Sequence, residues 1–211
     1  MNDKIYLHTI NNSYSDYYKS QRQKLILEYI LRCGEVRSRR LQGNLDTNTN
    51  FCGLDYISLI DYEKRFVSNK EREHYNSYYS YARNGLSITF PQDKIKVIEP
   101  TIIGICSDNR RGYETMKYLG MCEDERFTDL PDEVQVKDRI SLEHMNGILF
   151  PTENFLVSRL FIKRKKMIEL LKKELDIIKE LTIKYGYNVD IYDVETLMPL
   201  NEEEIYKLSL K

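Results

Sequence analysis

The stretch that decides the fold runs from Asp132 to Phe150, DEVQVKDRISLEHMNGILF over residues 132–150. Strict alternation puts Glu133 and Gln135 on one face of a strand and Val134 and Val136 on the other. Gly147-Ile148-Leu149-Phe150 closes the stretch as a short apolar strand that Pro151 stops.

Upstream, short β-prone runs recur. Ile5 to Ile10 is one, closed by Asn11-Asn12-Ser13. Tyr56 to Ile60 is another, with Tyr56 and Ser58 on one face and Ile57 on the other. Leu86 to Phe90 is entered at Asn84-Gly85 and stopped by Pro91. Lys96 to Glu99 and Thr101 to Ile105 read as strands separated at Pro100. Between the first two runs, Leu25, Ile26, Tyr29 and Ile30 fall at helical spacing, and Gly34 is placed for a left-handed cap.

Residues 35–53 are polar and aperiodic, and they read as a loop of the length that usually carries function. Residues 70–83 are tyrosine-rich and fit a helix or an ordered loop, and Tyr113 to Leu119 fits a short helix. Clustered strands with little βαβ alternation predict an α+β domain over 1–151. Thr152-Glu153 then opens one long helical pattern. Its stripe is Met167, Leu171, Leu175 and Ile178, widened by Leu170, Ile177 and Leu181, and Gly186 ends it. A small piece at Val189–Tyr192 and a final helix at Asn201–Leu208 complete a C-terminal helical extension over 152–211. Asn201 and Glu204 stand at capping-box spacing. The helix stripe suits packing within the chain or against a second copy.

Composition excludes several classes. The 211 residues are 41% hydrophobic and 31% charged, too apolar for a disordered chain. No apolar run is long enough to span a bilayer, and the N-terminus has no signal-peptide pattern, so a cytoplasmic protein without a membrane partner is expected. Lys and Arg number 32 against 33 Asp and Glu, which argues against indiscriminate polyanion binding. The balance is local, however. Arg37 to Arg40 and Arg159 to Lys166 are basic, and Glu123 to Glu133 is acidic. Cys33, Cys52, Cys106 and Cys122 form no CxxC pair and are expected as reduced, mostly buried thiols, with no metal site.

No strong catalytic signature is present, so the candidates form a scattered constellation. His8-Thr9 could meet a ribose or phosphate through the imidazole, or pair an amide through the backbone. A satisfied, half-buried histidine is the plain alternative. Arg37-Ser38-Arg39-Arg40 could wrap a pyrophosphate, because guanidinium forks match phosphate oxygens; a solvated loop is the alternative. Tyr56 and Ser58 suit a flat aromatic ligand, or are ordinary strand residues. A carboxylate at Glu133, with the Gln135 amide two residues on, can bind a sugar hydroxyl and stabilise positive charge that develops in an oxocarbenium-like transition state. Alternatively, it protects a strand edge. Lys163, Arg164 and Lys166 could contact nucleic-acid phosphates, or simply solvate a helix.

In order, these elements resemble the ADP-ribosyltransferase fold. Tyr6-Leu7-His8-Thr9 is similar to its opening Y-H-x-T strand. Glu133-Val134-Gln135-Val136, Ile140-Ser141-Leu142 and Met145-Asn146-Gly147-Ile148 resemble the closing strands of DarT-like and related NAD-using transferases. Three features depart from the family pattern. Glu133 precedes Gln135 rather than following it. Tyr56-Ile57-Ser58 replaces the Ser-Thr-Ser strand of the arginine-modifying branch. No residue matches the second histidine of the His-Tyr-Glu branch.

The resemblance implies a mixed-sheet core with flanking helices and NAD as co-substrate. His8 and Thr9 would hold a ribose, and Ser38 with Arg39 or Arg40 the phosphates. Tyr56 would lie near nicotinamide with Ser58 in support, and Glu133 or Gln135 would carry the chemistry. It implies transfer of ADP-ribose to a protein, DNA or RNA acceptor, as toxins and phage-conflict proteins do. The competing readings are a non-catalytic nucleotide- or nucleic-acid-binding module, and an NAD-dependent removal of an RNA 2′-phosphate.

Overall fold

The computed structural model describes residues 5–10, 17–38, 41–42, 56–62, 85–98, 102–104 and 133–210. The expectations for 70–83, for Tyr113–Leu119 and for Cys52, Cys106 and Cys122 lie outside the described residues. Cys33 is a half-buried free thiol. The described elements make a mixed sheet with flanking helices.

The chain divides into two compact units. The first comprises Met1–His8, Cys33–Ser80 and Phe90–Met145. Its strands are β1 (Ile5–Thr9, continuing into the second unit), β2 (Glu35–Arg37), β3 (Tyr56–Asp61), β5 (Ile102–Gly104), β6 (Glu133–Lys137) and β7 (Arg139–Ser141). Their order is β5-β6-β3-β1, with β2 and β7 forming a separate two-stranded ladder, and every one of these pairs is antiparallel. Tyr6, Leu7, Val36, Ile57, Leu59, Val136, Ile140 and Leu142 are its buried apolar residues along these strands and the turn after β7.

Two expectations need correction in this unit. Glu35–Arg37, read as the start of a loop, is a strand, because Glu35, Val36 and Arg37 pair with Ser141, Ile140 and Arg139. Residues 96–98, read as a strand, belong to helix α2 (Gln92–Ile98). Pro91 ends the preceding strand, Asp93 stands in the helix's first turn where a carboxylate suits the dipole, and Ile95 is fully buried. Ile140-Ser141 is strand, as the likeness to the closing strands implied, and Leu142–His144 is a 3₁₀ turn whose start Ser141 caps by accepting the Glu143 N–H.

The second unit comprises Thr9–Arg32, Tyr81–Thr89 and Asn146–Lys211. Helix α1 (Tyr17–Cys33) ends at Gly34, whose φ of 71° is the left-handed cap expected of a glycine there. Its buried stripe is Ser20, Gln23, Lys24, Leu27, Ile30 and Leu31, while Leu25 is 66% exposed. The stripe is thus rotated from the purely apolar one, because two buried polar residues have partners elsewhere in the unit. Gln23 Oε1 accepts the Leu86 N–H at 2.7 Å, and Lys24 Nζ donates to Glu174 Oε2 at 2.7 Å.

Strand β4 (Ser87–Pro91) pairs antiparallel with β8 (Gly147–Phe150), and β8 pairs in parallel with β9 (Asp190–Asp193). Ser87 to Phe90 and all of β8 are buried, which explains why these strands read as apolar runs rather than alternations. A Cβ on Gly147 would stand 2.8 Å from the Tyr192 ring, so the β8–β9 crossing admits no side chain there.

The long helix expected after Pro151 is broken into α3 (Thr152–Val157) and α4 (Arg164–Lys184). The break has a local cause. Ser158 Oγ and the Arg159 guanidinium both donate to the Phe155 carbonyl, taking the acceptor that a continuing helix would use. Helix α4 buries Ile168, Leu171, Leu175, Ile178 and Thr182, and Gly186 with φ 87° follows its end. Helix α5 (Glu202–Leu210) is capped by Asn201, whose Oδ1 accepts the Glu204 N–H at 3.0 Å.

Candidate functional site

Strand β6 carries Glu133 and Gln135 between β5 and β3. The pairing sets Glu133 opposite Ile60, Gln135 opposite Ser58 and Lys137 opposite Tyr56. On the other flank, Glu133 faces Gly104 and Gln135 faces Ile102. Two motifs separated by more than seventy residues of sequence therefore become neighbours across one ladder. Paired residues of an antiparallel ladder occupy the same sheet face, so positions 56, 58, 133 and 135 share a face.

Ile60 also pairs with Leu7 of β1. The shared face thus extends to Leu7, and His8, one residue on, falls on the opposite one. That opposite face holds the buried Tyr6, Ile57, Leu59 and Val136. His8 is half-buried there and has an interaction partner. Thr9 belongs to the second unit, where its hydroxyl lies 3.0 Å from that of Ser87.

Asp138 turns the chain from β6 into β7 with φ of 63°, a left-handed conformation that aspartate tolerates better than most residues. Its carbonyl accepts the Ser38 N–H at 2.7 Å. Ser38 N–H and the β2–β7 ladder thereby tie the basic loop's first residues to the end of the strand bearing Glu133. Ser38 is 1% exposed, and its Oγ is a buried hydroxyl without a hydrogen-bond partner among the described residues. Such an orphan costs roughly 1–3 kcal/mol until something pairs with it.

The sequence pattern did not disclose a local charge cluster. Glu35 accepts Arg37 Nε at 2.6 Å and has Arg139 Nη1 at 3.7 Å. Arg37 is therefore engaged within the ladder rather than held out toward a phosphate. The only sequence signal for this cluster is the charged Lys137-Asp138-Arg139 interruption between two apolar runs. Arg39 and Arg40 lie outside the described residues.

The basic residues after α3 are elsewhere, in the second unit. Lys163 and Lys166 are exposed, and Arg164 Nη2 donates to the Leu208 carbonyl at 2.6 Å. Among the described residues no cluster of His, Cys, Asp and Glu could hold a metal ion, and no helix is long and apolar enough to cross a membrane.

No family model matches the chain, and no curated protein matches it. A solved structure that does is Thermus sp. 2.9 DarT in complex with NAD+, at 14% identity over 84% of this chain and 89% of that one, with a TM-score of 0.36. At that identity and score the likeness decides neither fold nor chemistry.

Proposed function

We propose that the chain is an NAD-dependent ADP-ribosyltransferase-like enzyme acting on a macromolecular acceptor. The observation that carries this reading is the β3–β6 register, which sets Tyr56-Ile57-Ser58 against the strand of Glu133 and Gln135. The order of motifs along the sequence supports it, as does the unpaired Ser38 hydroxyl beside the same strand's end.

NAD as substrate supplies an ADP-ribosyl group whose bond to nicotinamide breaks heterolytically, the electron pair leaving with the ring. The chain's residues then have distinct tasks. Ser38 fits a phosphate or hydroxyl oxygen, because its Oγ is buried and needs a partner. Arg39 or Arg40 would neutralise the diphosphate. Tyr56 would offer a flat surface and Ser58 a hydroxyl, their strand positions sharing a face with that of Glu133. His8 lies on the other face, so its contribution is best made by the backbone at the end of β1. The Glu133 carboxylate would hold a ribose hydroxyl, oppose the positive charge that develops on the ribose, and take the proton from the attacking acceptor group. Gln135 would orient it from two residues along.

The test is incubation with NAD labelled in the adenylate, scoring nicotinamide release and label on protein, DNA and RNA. Release with transfer is the expected result. Tight NAD binding without release would support the competing reading, a non-catalytic nucleotide-binding module. The acceptor and a toxin-like role follow only from which fraction takes label.

A further inference from the structure

The turn between α3 and α4 breaks two rules of surface chemistry within ten residues. First, large apolar side chains stand in water. Val157 is 55% exposed, Leu160 70% and Phe161 fully exposed. They are held out by a stiff turn. Arg159 N–H donates to the Leu156 carbonyl at 3.0 Å and Ile162 N–H to the Arg159 carbonyl at 2.9 Å. The Arg159 guanidinium lies 3.8 Å over the Phe155 ring and donates to the Phe155 carbonyl.

Second, the start of α4 has the wrong charge for a helix. Lys163 is its N-cap without a side-chain capping bond, Lys165 and Lys166 follow, and the first turn holds no acid. Cations at a helix N-terminus oppose the dipole. Residues 154–168 contain five Lys or Arg and no Asp or Glu, and the nearest acids are Glu153 before the turn and Glu169 one helical turn into α4. Lys163, Lys165 and Lys166 are all exposed.

Two local violations side by side point to a partner that repairs both. Nucleic-acid phosphates would satisfy the lysines, and Phe161 could stack on a base. Val157 and Leu160 are aliphatic, however, and would remain in water. A bilayer with anionic headgroups answers both at once, with phosphates and carboxylates for the lysines and an acyl boundary for the apolar tip. We infer that the 157–166 turn is a peripheral docking tip for an anionic lipid surface. This inference is independent of the proposed activity. It departs from the expectation of no membrane partner, which rested on the lack of a spanning segment rather than on surface chemistry.

The experiment is co-sedimentation of the full chain with phosphatidylcholine vesicles carrying one quarter phosphatidylserine, against pure phosphatidylcholine vesicles. Partitioning is expected on the anionic vesicles, weakening as salt rises. Replacing Lys163, Lys165 and Lys166 together by Gln should lower it about a hundredfold, at about fivefold per cation. Leu160→Ser with Phe161→Ser should lower it at least tenfold at unchanged salt dependence, from the apolar area withdrawn. All five positions are exposed, so thermal melts of both variants should match the parent. The inference is overturned if the chain ignores anionic vesicles, or if the Ser variant binds them as well as the parent. It is equally overturned if lysine-dependent binding is found to an oligonucleotide and not to vesicles, or if the Ser variant changes only the oligomeric state.

Discussion

Lys24 lies in the second unit and Glu133 in the first. In the second unit, a charged residue is buried for structure. Lys24 and Glu174 have side chains only 6% and 14% exposed, and they meet at 2.7 Å between α1 and α4. In the first unit, the register sets Ile60 opposite Glu133, Ser58 opposite Gln135 and Tyr56 opposite Lys137, and a buried hydroxyl at Ser38 is left unpaired past that strand's far end. Satisfied burial marks a group whose work is finished inside the chain. The unpaired buried hydroxyl of Ser38, past the far end of the strand that begins with Glu133, is open to a partner from outside.

The largest expected effect breaks the contrast at the first unit. Glu133→Gln keeps the size and the strand preference of the side chain but removes the charge. Under the proposed reading NAD turnover should fall by roughly 10²–10³-fold, the scale of losing one group that stabilises transition-state charge. The melting temperature should stay within about 2 °C. Turnover equal to the parent's would sink the assignment, and a collapsed melting temperature would place Glu133 with Lys24 as a structural group.

The second effect is of similar size but appears only in stability. Lys24→Ala leaves the Glu174 carboxylate buried without its partner, which should cost about 3–5 kcal/mol in denaturant unfolding. Replacing the pair together, Lys24→Met with Glu174→Leu, should recover most of that loss. NAD turnover per folded molecule should be unchanged in both, because the pair lies outside the unit that carries Glu133.

The smallest effect concerns the outer tie between the same helices. Lys184 Nζ donates to Glu28 Oε1 at 2.8 Å, and Tyr185 Oη reaches the same oxygen at 2.9 Å. The hydrogen bond from Lys184, then that from Tyr185, holds the Glu28 carboxyl below the ordinary carboxylate range, and the same bond to Glu28 holds Lys184 above the ordinary lysine range. Glu28 therefore stabilises above the usual carboxylate pKa, and its contribution is lost as pH falls through the depressed value. Lys184 stabilises below the usual lysine pKa, and its contribution is lost as pH rises through the elevated one. Melting temperature should be flat across neutral pH and decline slightly at both extremes. Glu28→Gln should flatten the acid shoulder without moving the neutral plateau. An unchanged acid shoulder would remove this pair from the account.

How far the sequence could be read differs between strands and their surroundings. Most of the strand segments were legible, because short alternating or apolar runs bounded by Gly, Pro and Asn have few other solutions. The 92–98 segment was not, since seven residues between two prolines fit either period until Ile95 is seen to be buried. The helix break at 158–163 was hidden for a different reason. Leu160, Phe161 and Ile162 continue the apolar count, and only Arg159 and Ser158 closing back on the Phe155 carbonyl end the helix there. The rotated stripe of α1 was invisible because Gln23 and Lys24 look like solvent residues until their partners, 63 and 150 residues away, are in place.

For the candidate site the division is sharper. Which residue types are present and which alternate on each strand follow from the chain alone, since a period of two needs only neighbours along it. The caps at Gly34 and Asn201 follow for the same reason, these being local backbone chemistry. Tertiary structure alone decided that Ser58 lies opposite Gln135 and Ile60 opposite Glu133, that His8 falls on the other face, and that Arg37 is spent on Glu35. Register between distant strands is a sum of many weak pairings closed over long loops, and no local pattern contains that sum.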